Sequence, residues 1–313
     1  MQEIQNRLIH IFGQDNIRYD EPMMKHTTFR IGGPAAVYVT PQTKEQLAEA
    51  IYLLQQSKVP YEVIGNGSNL LVADQGFAGV IFDMSQYFTG YKILHDHCNT
   101  AVDKSNRVYV SVQAGMMLGR LGKELAGYSL AGFEFATGIP GTIGGAVMMN
   151  AGAYGGEMKD VLVNATVMDK TGEIKVLSNE ELELGYRTSI IAKEGLIVLE
   201  AVLALEPGNQ TEIQEKIADF AGRRREKQPL EYPSAGSTFK RPEGYFAGKL
   251  ISDAGLKGFT VGGAQVSEKH AGFVINIGGA TAADVIALTD QVCDKIYELN
   301  GVTLELEVRK LGF

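Results

Sequence analysis

Two segments bring together residues whose backbone could hold an anion: Gly65-Asn66-Gly67-Ser68-Asn69 and Gly138-Ile139-Pro140-Gly141-Thr142-Ile143-Gly144-Gly145-Ala146. Runs of Gly and small polar residues can aim several N–H groups at one point, since no Cβ keeps a ligand away. A dinucleotide pyrophosphate suits such a cradle, held by neutral amides rather than by Lys or Arg. Taken alone, the first segment is equally an Asn-Gly turn and the second a Gly-rich packing corner. The first segment also runs into Leu70-Leu71-Val72, an extended pattern, whereas a GxGxxG dinucleotide fingerprint must open a helix. The phosphate-site reading survives this test and a Rossmann domain does not. Other reactive side chains are sparse. His95-Asp96-His97-Cys98 has metal-ligand residue types, but such a run is ordinarily solvated turn chemistry, and the sequence predicts no metal. Cys293 falls on an apolar helical stripe and reads as a core residue.

The elements that must carry these loops belong to a chain of 313 residues, about two domains at the ~100–200 residues of a typical one. With 45% hydrophobic and 21% charged residues it has the composition of a folded globular protein. Its net charge of −8 supplies no global field for nucleic acid or anionic membrane, so a bound anion needs local donors. Two cysteines, Cys98 and Cys293, without a CxxC partner argue against a disulfide framework and for a reducing, cytoplasmic setting. Ile4, Leu8, Ile11 and Phe12 space as an amphipathic helix rather than a continuous apolar leader. The uncharged stretch from Phe135 to Gly156 contains seven Gly, Pro140 and Asn150, which rules it out as a membrane span.

Along the chain, Ala36–Val39 predicts a strand, Thr43–Ser57 a helix with Leu47, Ala50, Ile51 and Leu54 inward, and Tyr61–Ile64 the next strand. Short β-branched runs at 80–82, 108–112, 161–168 and 197–205 make the middle of the chain strand-rich. A polar break at 206–209 marks a boundary, followed by a charged helix over 212–226. Helices are expected at 246–254 and 282–299. The second of these shows Val285, Leu288, Val292, Ile296 and Leu299 on one face, a Thr281/Asp284 capping box and a Gly301 stop. Strands are expected at 272–277 and, as a final alternating run, at 302–308.

Several motifs in order give the chain a specific resemblance. They are Thr27-Thr28-Phe29-Arg30-Ile31-Gly32-Gly33, the two glycine loops, Asn150-Ala151-Gly152-Ala153-Tyr154-Gly155, and Gly185-Tyr186-Arg187-Thr188-Ser189. Ser234-Ala235-Gly236-Ser237-Thr238-Phe239-Lys240, Ala247-Gly248-Lys249-Leu250-Ile251 and Leu304-Glu305-Leu306-Glu307-Val308-Arg309 follow. Over nearly its whole length the chain resembles the UDP-N-acetylenolpyruvoylglucosamine reductases. The resemblance implies an α+β fold: a vanillyl-alcohol-oxidase/PCMH-type FAD-binding domain of two α+β subdomains (residues 1–80 and 81–206), and a C-terminal α+β substrate-binding domain (207–303). A last strand (304–313) would return toward the active site and the FAD-binding part.

The activity so implied is reduction of the enolpyruvyl ether of a UDP-linked amino sugar by NADPH through FAD, in peptidoglycan precursor synthesis. Hydride arrives at C3 and a proton at C2. Ser237 would donate that proton, and Arg187 and Glu307 would stabilise the developing enolate and assist at C2. On residue type alone Ser237 reads as a turn or cap residue, Arg187 as a strand-end ion pair and Glu307 as the solvated face of an edge strand. Gly65 to Asn69, and Thr137, Gly138, Ile139, Pro140, Gly141, Thr142, Gly144, Gly145 and Ala146, would hold FAD. Tyr186, Arg187, Lys227, Lys240 and Arg241 would bind substrate or NADPH, with Arg223 to Arg225 read mainly as a solvated helix end. None of the five His (10, 26, 95, 97, 270) lies in a glycine loop, so the flavin should be bound non-covalently. Ser189 leads almost directly to the 197–205 run, as in the shorter family type that lacks an inserted Tyr segment. Some members have Asn where Arg241 stands. No protein partner is implied. An FAD oxidase of the same superfamily, or a non-catalytic flavin- or nucleotide-binding module, would share the loops but not the Tyr-Arg, Ala-Gly-Ser and Leu-Glu-Val-Arg motifs.

Overall fold

The computed structural model describes residues 2–94 and 106–313, and the His95-Asp96-His97-Cys98 run lies outside the described residues. The chain forms two compact units. One comprises Met1–Arg18, Tyr38–Asn66 and Val80–Gly222, the other Tyr19–Val37, Gly67–Gly79 and Arg223–Phe313.

In the first unit, helix α1 (Gln2–Phe12) buries Leu8 and Phe12, as its spacing predicts. The end of strand Pro34–Val39, helix α2 (Lys44–Gln56) and strand Tyr61–Ile64 come in the expected order, residues 34–37 belonging to the other unit. Thr43 caps α2 by accepting from the Gln46 N–H, while the Gln46 side chain accepts from the Thr43 N–H. Leu47, Ala50, Ile51 and Leu54 are all fully buried. Tyr61–Ile64 pairs in parallel with Phe77–Asp83, Tyr61 facing Val80 and Ile64 facing Asp83, and the crossover between them is residues 65–76, which carry the first glycine loop and Leu70–Val72 instead of a helix.

The larger sheet of this unit is antiparallel. It runs in the order Ile174–Ser178, Leu162–Met168, Ile197–Pro207, Val108–Gln113, Tyr91–Leu94, with Leu130–Ala131 also on the long strand. Along Val108–Gln113 and Ile197–Pro207 alternate residues turn inward, so Val110, Val112, Ala201, Leu203 and Leu205 form one apolar face. Two helices that the strand-rich reading missed cover this core: α3 (Leu118–Gly127), with Leu118, Leu121 and Leu125 buried, and α4 (Ile143–Met148), which grows out of the second glycine loop. A short α5 (Ile190–Glu194) leads into the long strand, and α6 (Gln210–Lys227) carries the charged stretch.

The second unit packs α7 (Ala247–Asp253) and α8 (Ala282–Asn300) with a three-stranded antiparallel sheet of Thr260–Val261, Ala264–Val266 and Val274–Asn276. Phe29, Ile31 and Leu71 join its core. The Thr281/Asp284 box caps α8 as expected, and Gly301 ends it in the left-handed conformation (φ 66°). The Asp74 carboxylate also receives the N–H groups of Ala282 (2.7 Å) and Ala283 (3.0 Å). Two expectations need correction. The buried stripe of α8 stops at Ile296, and Leu299 is exposed on the last turn before the Gly301 stop. Residues 302–308 form no continuous strand. Their only bridge among the described residues joins Leu306 to Phe239, and the true strand is Arg309–Leu311, parallel to Leu70–Val72. The reason is a hand-over: Glu305 O and Glu307 N bond to Lys240 and Thr238 (2.8 Å each), after which Arg309 N donates to Asn69 O (3.0 Å) and draws the chain to another partner.

Candidate active site

In the first unit Gly65 and Asn66 meet the second glycine loop. Asn66 Nδ2 donates to the Pro140 carbonyl at 2.7 Å, and a Cβ on Gly65 would come within 2.1 Å of Thr142 Oγ1. Only a residue without a side chain permits that approach. The second loop is fastened from behind: Leu118 N donates to Gly141 O (3.0 Å), Ile143 N to Met116 O (2.9 Å) and Gly144 N to Ala114 O (2.8 Å). Gly144 is therefore glycine for packing, a Cβ there lying 3.1 Å from that of Ala114. Thr137 presses its methyl toward Gly122, where a Cβ would sit 2.2 Å away, and donates its hydroxyl to Glu134 O (2.8 Å). Gly138, Pro140 and Gly145 stay exposed on the open side, with only Thr142 Oγ1 at 3.9 Å from a Cβ on Gly145. A backbone-lined cradle with neutral donors fits a dinucleotide pyrophosphate.

The Tyr186-Arg187 pair sits on a tight turn of the same unit, closed by Gly185 N to Thr188 O (3.1 Å) and Thr188 N to Gly185 O (3.3 Å). Arg187 takes φ 55°, a conformation that a non-glycine residue holds only when its surroundings enforce it. Its guanidinium lies 5.1 Å from the Tyr186 ring centroid. Asn150 is the enforcer that residue patterns did not reveal. Buried, it donates from Nδ2 to Gly185 O (3.2 Å) and to the Glu157 carboxylate, and accepts from Lys159 N through Oδ1 (2.9 Å). Ser189 Oγ ties the other end to Met148 O (2.6 Å). Tyr154, from the Asn150 motif, stacks on Phe220 at 4.5 Å.

The second unit gathers Ser237, Lys240 and Glu307. The stretch 237–240 runs antiparallel to 305–307 through the Phe239–Leu306 bridge, and half-buried Ser237 and Glu307 fall toward the same end of it, where Glu307 N donates to Thr238 O (2.8 Å). Gly236 has φ 77° and open space where a Cβ would stand, so its glycine serves the backbone turn and leaves Ser237 approachable. Lys240 Nζ pairs with Glu305 Oε2 at 2.9 Å, and the Arg241 guanidinium covers the Phe246 ring at 4.6 Å. Lys227 ends α6, exposed. The first loop's last residue reaches this group too, since Asn69 Nδ2 donates to Glu307 O (3.2 Å). Within the same loop, a Cβ on Gly67 would meet His26 O at 2.0 Å, and its φ of 57° demands glycine as well. Next to Gly272, whose carbonyl accepts from Thr238 N, burial holds the His270 imidazole below its ordinary pKa, and neutral Nδ1 accepts from Gly272 N at 3.1 Å.

Residues 35–178, which include both glycine loops, match the family model of the FAD binding domain, and residues 228–311 match that of the UDP-N-acetylenolpyruvoylglucosamine reductase C-terminal domain. The FAD binding domain and the added C-terminal α+β domain thus define a flavoprotein oxidoreductase. UDP-N-acetylenolpyruvoylglucosamine reductases of Alkaliphilus oremlandii (52% identity, 97% of this chain and 96% of theirs) and Clostridioides difficile (50%, 99% and 98%) are similar throughout. The crystal structure of the same enzyme from Thermus caldophilus superposes with a TM-score of 0.76 at 36% identity, covering 93% of this chain and 97% of that one. The chain belongs to the UDP-N-acetylenolpyruvoylglucosamine reductase family. Among the described residues no helix is long and apolar enough to cross a membrane, and no group of three or more His, Cys, Asp or Glu could hold a metal.

Proposed function

We propose that this protein reduces UDP-N-acetylenolpyruvoylglucosamine to UDP-N-acetylmuramate with NADPH as reductant and FAD as cofactor, a step of peptidoglycan precursor synthesis. The observation that carries the reading is full-length similarity at about half identity to reductases of that name, with every motif of the site present in order. Bound FAD supplies the two-electron relay between NADPH and the enolpyruvyl double bond. Gly65, Asn66 and the exposed face of 137–146 would hold its pyrophosphate, with Gly67, Ser68 and Asn69 extending that loop. NADPH and nucleotide sugars are cytoplasmic metabolites, which supports a cytoplasmic location.

Negative charge grows on the substrate's carboxylate side as C3 is reduced. Arg187, permanently charged and held in place by the Asn150-braced turn, offers a planar fork for that carboxylate. Ser237 gives its proton to C2, and Glu307 supports that transfer. Such a positioned donor contributes about 10²–10⁴-fold. Tyr186, Lys227, Lys240 and Arg241 take the diphosphate or NADPH phosphates. Lys240 can leave Glu305 for a phosphate, because an exposed ion pair is worth only about 0–1 kcal/mol. Functionally, we assign 1–80 and 81–206 to the flavin, 207–303 to the nucleotide sugar and 304–313 to the returning strand that brings Glu307.

The test is an anaerobic mixture of the flavin-loaded protein, NADPH and the enolpyruvyl substrate. Stoichiometric UDP-N-acetylmuramate is expected. Flavin that reoxidises only when oxygen is admitted would indicate an oxidase, and binding without turnover a non-catalytic module.

A further inference from the structure

The segment that bears Ser237 lies along the outer edge of the three-stranded sheet, and one residue fastens it on both sides. Asn276 N donates to Pro233 O (2.9 Å), and a bridge joins Ser234 to Ile275, so residues 233–234 already cover one end of the edge strand. At its other end stands Thr238, 2% exposed. Its N–H donates to Gly272 O (2.8 Å), its Oγ1 accepts from Val274 N (2.9 Å), and its carbonyl accepts from Glu307 N (2.8 Å). The hydroxyl thus occupies the place of a missing strand partner for a fully buried amide, and the backbone of the same residue carries Glu307. Between the two anchored ends, Ala235, Gly236 and Ser237 form a bridge, with Gly236 in a left-handed turn.

We infer that Thr238 is a positioning residue that sets the height of Ser237 and Glu307 above the substrate, acting through the Val274 amide rather than by touching the substrate. The inference rests on the reading of Ser237 and Glu307 as the proton-delivery residues. Thr238→Val keeps shape and branching and loses only the acceptor, leaving the Val274 N–H buried and unpaired. The edge strand and the Ser237 segment then separate by a fraction of an ångström to a full one, and displacement of about 1 Å can cost on the order of 10²-fold in rate. Thr238→Ser keeps the oxygen.

The experiment measures the two half-reactions of flavin-loaded protein by stopped flow, with hydrogen–deuterium exchange of the 272–276 amides alongside. For Thr238→Val, reoxidation of the flavin by the enolpyruvyl substrate should slow by about 10- to 10²-fold, flavin reduction by NADPH should change far less, and exchange at Val274 should accelerate. Thr238→Ser should restore all three. Equal slowing of both half-reactions, failure of Ser to rescue, or a Thr238→Val variant with wild-type reoxidation would overturn the inference. If Thr238→Val does not retain flavin, Thr238→Cys, which like Thr238→Ser loses the methyl but offers a weak sulfur acceptor in place of the hydroxyl, replaces it and is compared with Thr238→Ser under the same criteria. Ser237→Ala and Glu307→Gln are run in parallel. Slow reoxidation in these two with a wild-type rate in Thr238→Val sinks the positioning role alone, whereas wild-type rates in both sink the proton-delivery reading and this inference with it.

Discussion

A serine hydroxyl is a weak acid, and Ser237 can protonate carbon only where charged neighbours stabilise what is left behind. Ser237→Ala should therefore leave flavin reduction by NADPH nearly intact and slow flavin reoxidation by the enolpyruvyl substrate at least ~10²-fold, with substrate affinity changed much less. Stopped-flow traces of the two steps decide it. Cys293 supports a different prediction. Burial, with Asp290 and Asp294 adding to it, pushes its thiol up to about 11 from an ordinary 9.0. Between those values the folded chain keeps a proton that the unfolded chain has released, so stability falls as pH rises through that window. Cys293→Ala should flatten the fall, read as denaturation midpoints at pH 8.5 and 10.5. At this scale the sequence singles out Ser237, Arg187 and Glu307 only because each belongs to a multi-residue motif. It was silent on Asn150 and Thr238 as braces, because a buried polar residue that ties backbone together leaves no periodicity behind.

Gly65 makes the argument for elements. Its φ is not left-handed, so alanine is forbidden by Thr142 rather than by the backbone. Gly65→Ala should push the two loops apart and lower the FAD content of purified protein, measured as the ratio of flavin to protein absorbance. Thr142→Gly, introduced second, should recover part of that content, while flavin loading equal to wild type in the single variant would show that the loops do not share the cofactor. Thr281→Ala removes the α8 cap and should cost roughly 1 kcal/mol in a denaturant melt. Elements with strong local signals were legible: α2 from its stripe, α8 from its stripe and capping box, Tyr61–Ile64 and Leu70–Val72 to the residue. The stretch 302–308 misled because alternation specifies which faces differ, not whether a long enough partner exists. Helix α4 is short and glycine-rich, and only packing against Ala114 and Met116 makes it a helix.

For the whole molecule, non-covalent retention of FAD follows from a cradle of amides and from the lack of His in either glycine loop. Acid precipitation should release all the yellow colour, and colour left on the pellet would disprove it. Removal of residues 309–313 takes away the parallel partner of Leu70–Val72 and the Arg309–Asn69 bond. That truncated protein should lose flavin and melt earlier than the full chain. The order in which the chain alternates between its units was not legible, since each passage is a short piece whose partners lie far along the sequence.

Asn69 and Glu307 are 238 residues apart, yet one holds the other. On the ribosome the chain emerges from residue 1 onward, and the first unit has all its segments once Gly222 is out, whereas the second must wait for Arg309–Leu311. Until then Leu70–Val72 presents an unpaired, apolar strand edge inside a nascent polypeptide, the kind of surface that chaperones shield and that neighbouring nascent chains can capture. The Asn69–Glu307 bond thus forms only after 238 further residues have been made, the kind of long-range closure whose chain entropy must be met before the contact rewards it.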